Sequence, residues 1–226
     1  MFEALEENLA RVRSGILQAC ARSERKAGDV TLVAVTKTLP IEAVSAAVSL
    51  GIGNFGENYV RELREKARVL PDVRWHYVGA LQSGTAHHVA DTADFVHGLE
   101  PGNAVARLAE RAETRGRVLP VLVQVDFTGE RNGVVPEGLP GFAREVSSLP
   151  GLVLSGLMTL PPMPESPEDC RPFFRRLREM RDDLRETFPQ VVELSMGMSL
   201  DYEVAVEEGA TMVRVGTALF GARAKR

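Results

Sequence analysis

The chain has 226 residues, with 27 lysines and arginines against 31 aspartates and glutamates and a formal charge of -4. These charges are interspersed and only residues 223–226 cluster as basic, which argues against a nucleic-acid surface as the main function, because phosphate binding needs concentrated positive charge. Two widely separated cysteines, Cys20 and Cys170, show neither a disulfide framework nor a paired-cysteine metal motif; the acidic start is unlike a signal peptide, and no apolar run reaches membrane-spanning length. A cytoplasmic protein without a membrane partner is expected, folded as one unit over residues 1–226.

Phe2, Leu5, Leu9, Val12 and Ile16 recur at spacings of three and four and predict an amphipathic helix ahead of the first strand. Apolar runs at residues 30–35, 54–55, 75–78, 95–99, 119–125, 152–158, 191–194 and 212–215 then predict eight strands, the second having the weakest signal. Helical segments lie between most of them. Pro40 opens one and Gly51 follows its end, and "SPED" at 166–169 supplies a cap with an acidic first turn. Phe173, Phe174, Leu177, Met180 and Leu184 give that helix its buried face, while Ser199 and Gly209 bracket the next. The longest predicted loop, residues 159–169, is rich in proline and acidic residues. This order predicts a single (β/α)8 barrel of the α/β class, with an extra N-terminal helix. An open doubly wound sheet is the alternative, but no Gly-x-Gly-x-x-Gly turn follows the first strand.

Barrel chemistry sits at the C-terminal ends of the strands. Lys37, in "VAVTKTLP", is predicted at such an end, on the same face as Thr31, Val33 and Val35. A lysine held there is desolvated and its pKa falls, giving the neutral amine that Schiff-base formation requires. The competing reading, which Lys37 alone favours, is a side chain whose head escapes to solvent. "LSMGMS" at 194–199 and "VRVGTALFG" at 213–221 follow the last two predicted strands, where barrels commonly bind phosphate. Ordinary capping by Ser199 and a tight turn at Gly216 would also account for them. Arg214, inside the last strand, needs a buried partner, either a carboxylate or a ligand. An amine for an aldehyde, a phosphate cradle and an arginine for a ring nitrogen are the parts of a pyridoxal 5'-phosphate site. His76, His87, His88 and His97 form no metal-ligand spacing; His76 reads either as lining the barrel mouth or, on the safer reading, as a packed histidine.

The segments "VAVTKT", "NFGENYVREL", "WHYVGALQ", "GLMTLPP" and "LSMGMSLDYEVAVEEGATMVRVGTALFGAR" closely resemble, in order and over nearly the whole chain, the pyridoxal phosphate homeostasis proteins, the YggS/PROSC family once called proline synthetase co-transcribed proteins. The resemblance implies a barrel like the N-terminal domain of bacterial alanine racemase and pyridoxal 5'-phosphate bound as an internal aldimine on Lys37. It implies phosphate contacts from Ser195, Met196, Gly197, Gly216 and Thr217, with Arg214 facing the ring nitrogen and Asn58 beside the cofactor. A monomer is implied, with the cofactor as partner and transient contact with apo pyridoxal-phosphate enzymes. The chain departs from the family pattern at Ser83-Gly84-Thr85, where an Asn-Lys pair is usual, and in "VDFTGERNGV", which lacks a common lysine. Both changes remove positive charge near the expected mouth.

Buffering or delivery of the cofactor is the leading reading. A racemase-like enzyme is the alternative, but racemisation needs a second acid or base, which alanine racemases draw from another domain and subunit. An arginine at the ring nitrogen also weakens the cofactor as an electron sink. A cofactor-free Schiff-base aldolase acting on a sugar phosphate is a third reading.

Overall fold

Eight parallel strands close on themselves in the order β1-β2-β3-β4-β5-β6-β7-β8. The computed structural model describes residues 3–222; Phe2 and the basic run 223–226 lie outside the described residues. Helix α1 (Glu3–Arg22) precedes β1 (Thr31–Val35), and the alternation continues through α2 (Ile41–Ser49), β2 (Asn54–Glu57), α3 (Val60–Val69), β3 (Arg74–Tyr77) and α4 (Ala86–Thr92). It then runs through β4 (Phe95–Leu99), α5 (Asn103–Thr114), β5 (Leu119–Val125), α6 (Leu139–Ser147), β6 (Leu152–Thr159) and α7 (Arg171–Thr187). The last elements are β7 (Glu193–Ser195), α8 (Tyr202–Glu207), β8 (Met212–Val215) and α9 (Thr217–Phe220). Closure comes from β1 pairing with both β2 and β8, Thr31 opposite Met212 and Ala34 opposite Phe55.

The expected barrel is therefore present, and three strands match their predicted bounds. β1, β3 and β6 shift by one residue at one or both ends, and two strands differ more, for physical reasons. β2 extends through Gly56 and Glu57, residues that do not look like strand formers. A Cβ at Gly56 would lie 3.2 Å from a Val33 methyl and 3.4 Å from a Val35 methyl, a tight fit in the barrel interior, and Glu57 is buried against Lys66 of α3. In β7, Val191 is buried ahead of the strand in a turn closed by its amide on Phe188, so pairing starts only at Glu193.

The core has two layers, as a barrel requires. Outward residues such as Ala34, Phe55 and Trp75 pack against the helices, among them Val44, Leu63, Leu108 and Phe174. Leu5, Leu9, Val12 and Ile16 are the buried stripe of α1, which packs on α8 and α9 and so ties the chain's start to its last strand. The cap predicted at Ser166 is a reciprocal box with Asp169 over a short 3₁₀ turn that runs into α7. Phe174, Leu177 and Leu184 form the buried face there, and Phe173 instead meets Phe127 with ring centroids 6.0 Å apart. Among the described residues no helix is long and apolar enough to cross a membrane, and both cysteines are buried and unbridged.

Candidate functional site

A cleft of about 330 Å³ opens at the C-terminal ends of β1, β2, β3, β6, β7 and β8, near the lower end of the size range of small-molecule sites, roughly 300–1,000 Å³. Its walls include Val35, Val78, Met158 and Met198, and its polar groups come from Lys37, Asn58, Ser199, Asp201, Arg214 and Thr217. Lys37 stands two residues past β1, and the strand's alternation carries its side chain to the same side as Val33 and Val35. Thr36, on the opposite face, is buried: its hydroxyl donates to Glu57 Oε1 at 2.6 Å and its carbonyl accepts from Lys66 Nζ at 2.8 Å. Thr38, the residue after Lys37, sits at φ 63 and its amide donates to Glu62 Oε2 at 2.7 Å. Lys66 Nζ also reaches Glu57 Oε1 at 2.6 Å and Glu62 Oε2 at 3.0 Å. One buried ammonium thus ties the turn that carries Lys37 to the end of β2, where Asn58 follows.

Arg214 is 5 % exposed. Its Nη1 donates to Ser195 Oγ at 2.5 Å and its Nη2 to the Thr159 carbonyl at 3.0 Å. Burial lowers its pKa to about 10, with Asp201 opposing, so it stays cationic at neutral pH. Ser199 Oγ accepts from the amides of Ala218 at 3.1 Å and Gly216 at 3.4 Å, so an oxygen acceptor sits against the start of α9 at the cleft wall. Asp201 is 2 % exposed and accepts from the Met198 amide at 2.6 Å, which holds the loop after β7 in place.

The structure brings Lys37, Asn58, Arg214, Gly216 and Thr217 onto one cleft. It does not bring Ser195, Met196 and Gly197 there. Ser195 lies one layer deeper against Arg214, Met196 is in the hydrophobic core, and Gly197 at φ 91 makes the turn under α8, where a Cβ would sit 2.5 Å from Ala205. Their neighbours Met198, Ser199, Leu200 and Asp201 line the wall instead. The loop after β6 contributes Leu160, Met163 and Pro164, whose place the sequence signalled only as a long proline-rich segment. His76 and His97 are fully inside the barrel and bonded to each other at 3.0 Å, and no cluster of metal-ligating residues occurs among the described residues. Glu57, missed as support for the turn that carries Lys37, could have been found from a charged residue in a buried strand, which demands a buried partner; that the partner is Lys66 is visible only in the fold.

The alanine racemase N-terminal domain model matches residues 3–224. A protein of Aquifex aeolicus (strain VF5) named pyridoxal phosphate homeostasis protein is 41% identical over 222 residues, spanning 96% of this chain and 97% of its own. The chain belongs to the pyridoxal phosphate homeostasis protein family. The family's Escherichia coli K12 member is 38% identical over 97% of both chains. Among solved structures, PipY of Synechococcus elongatus PCC7942, described with PLP bound, superposes with a TM-score of 0.85 at 33% identity, covering 96% of this chain and 100% of its own. Alanine racemase of Clostridium difficile 630 has a TM-score of 0.77 at 17% identity and is covered over 58% of its length, a likeness of fold alone.

Proposed function

We propose that this chain binds pyridoxal 5'-phosphate in the cleft above β1 and β8 and serves its homeostasis, holding and releasing the cofactor without strong catalytic turnover. The observation that carries the reading is the convergence of Lys37, Arg214 and the Gly216–Thr217 segment on one cleft. The donor set fits the group. Val35, Val78, Met158 and Met198 offer apolar walls for a planar ring, Arg214 a fixed donor for a ring nitrogen, and Ser199 and Thr217 hydroxyls beside backbone amides for an anion. When bound, the cofactor supplies an aldehyde that condenses with a primary amine.

Lys37 is the amine at hand. The turn beneath it is held by Lys66 and Glu62, so the side chain is aimed at the cleft while its backbone stays fixed. Asn58 lies beside it on the wall, and Ser195 supports Arg214 from below. Met196 and Gly197 shape the turn that delivers Met198 and Ser199. Arg214 donates a hydrogen bond and keeps its own proton, a weak arrangement for withdrawing electrons through a pyridine ring. Racemisation needs a second acid or base on the opposite face; of the other described groups in the wall, the Asp201 carboxylate is engaged by the Met198 amide. The apo enzymes that take up the cofactor are the natural transient partners, and a monomer and a cytoplasmic site of action are part of the same proposal.

Purified protein mixed with pyridoxal 5'-phosphate is expected to turn yellow, and Lys37→Ala to stay colourless. A colourless native protein refutes cofactor capture. Rapid inversion of single L-amino acids by the loaded protein, followed by chiral chromatography, would instead establish a turnover enzyme.

A further inference from the structure

Beneath the cleft, side chains from five strands form one hydrogen-bonded chain through the barrel interior. Arg214 Nη1 of β8 donates to Ser195 Oγ of β7 at 2.5 Å, and Ser195 Oγ lies 2.8 Å from His97 Nδ1 of β4. His97 Nε2 lies 3.0 Å from His76 Nδ1 of β3, and His76 Nε2 lies 3.1 Å from Asn54 Oδ1 of β2. Ser195 and His97 are fully buried, and the Phe95 ring packs on both imidazoles, with centroids 5.6 Å and 5.2 Å away.

The direction of this chain follows from its upper end. A guanidinium donates and never accepts, so Ser195 Oγ accepts from Arg214 and its own proton is left to donate to His97 Nδ1. His97 then carries its proton on Nε2 and donates to His76 Nδ1. His76 likewise carries its proton on Nε2 and donates to the Asn54 carbonyl oxygen. Every group along the chain is satisfied. The reverse direction would leave the Ser195 hydroxyl proton without an acceptor in a buried interior and would require the Asn54 amide to turn its nitrogen inward.

We propose that Arg214 fixes both buried histidines as neutral Nε2–H tautomers, and that Ser195 and His97 in return act as positioning residues, holding the guanidinium in the orientation that meets a ring nitrogen in the cleft. Two fixed acceptors, Ser195 Oγ and the Thr159 carbonyl, pin the guanidinium plane, and its other N–H groups are thereby directed. Burial supports the neutral form: it lowers His76 to about 4, with Arg74 adding to the effect, and puts His97 well below the ordinary histidine value. The positioning role rests on the reading of the cleft as a pyridoxal 5'-phosphate site; the tautomers do not.

The test has two arms. Long-range proton–nitrogen correlation spectra of the cofactor-free protein, labelled with nitrogen-15 histidine and assigned with His97→Phe and His76→Phe, should show both buried imidazoles neutral and protonated on Nε2 at neutral pH. An Nδ1–H form or an imidazolium at His97 overturns the proposal. In the second arm, pyridoxal 5'-phosphate and its analogue with CH in place of the ring nitrogen are titrated into the native protein, Ser195→Ala and His97→Phe. Both folded variants should bind the cofactor about tenfold more weakly, the scale of one hydrogen bond to a charged group, and bind the analogue as the native protein does. Equal losses for both ligands overturn the positioning role. If the native protein binds neither ligand, the reading of the cleft fails and the positioning role falls with it, while the spectra still decide the tautomers.

Discussion

Lys66→Met removes the ammonium behind the Lys37 turn and exposes how much that turn depends on it. The Lys66 side chain is 7% exposed and Glu57 is fully buried, with Nζ 2.6 Å from Glu57 Oε1. Once the ammonium is gone, Glu57 keeps a hydrogen bond from the Thr36 hydroxyl, and its Oε2 has no hydrogen-bond partner even in the native chain. Removing one side of a buried pair costs about 3–5 kcal/mol, because the other charge is left uncompensated. The double variant Lys66→Met/Glu57→Gln should recover most of that loss, since a neutral amide needs no counter-charge. The pH dependence has a definite sign. Burial already pushes the Glu57 carboxyl up against the pull of Lys66, and without the ammonium it rises further. The folded variant then retains a proton that the unfolded chain has released, so its stability falls as pH climbs above the unfolded carboxyl value of about 4.3. Urea unfolding followed through Trp75, the chain's single tryptophan, measures this. A loss below about 1 kcal/mol, or a loss that does not change between acid and neutral pH, would mean that the ammonium does not hold the turn.

Three further outcomes can be checked. Gly79→Ala would place a Cβ 2.2 Å from the Asn58 carbonyl oxygen, so the backbone at Asn58 must move; cofactor titration should show weakened capture while the circular dichroism spectrum persists. Leu9→Ala empties a buried position of α1 and should cost about 2–5 kcal/mol in urea unfolding. Arg111, joined by Arg115 and opposed by burial, holds Asp91 at about 2, so its stabilisation is present above the unfolded value near 3.9 and is lost as pH falls toward about 2. Because these side chains are partly exposed, Asp91→Asn should cost no more than about 1 kcal/mol, and less in high salt.

What the sequence makes legible here is what is local. Continuous apolar runs mark β4, β5 and β8 to the residue, because strands buried on both faces need no alternation. Lys37 and Arg214 stand out for a related reason, as cations at or inside such runs. β2 is hard to see because its second half is a glycine chosen for interior space and a glutamate chosen for a partner nine residues on in α3. Lys66 looks like any lysine on a helix whose neighbours are charged, and only the fold shows that its head points inward. The two histidines are harder still: His97 meets His76 across 21 residues and Ser195 across 98, so no spacing rule joins them. Ser195 reads as a loop hydroxyl for a phosphate, whereas its position at the end of β7 puts it under Arg214.

The central claim is that Lys37 is the amine that captures the cofactor. Its most direct test is to load the native protein with pyridoxal 5'-phosphate, reduce it with borohydride, and map the modified peptide by mass spectrometry. One stable adduct is expected, on Lys37, formed as the yellow colour bleaches. An adduct on Lys26, Lys66 or Lys225 with Lys37 unmodified, or no adduct at all, would contradict that claim.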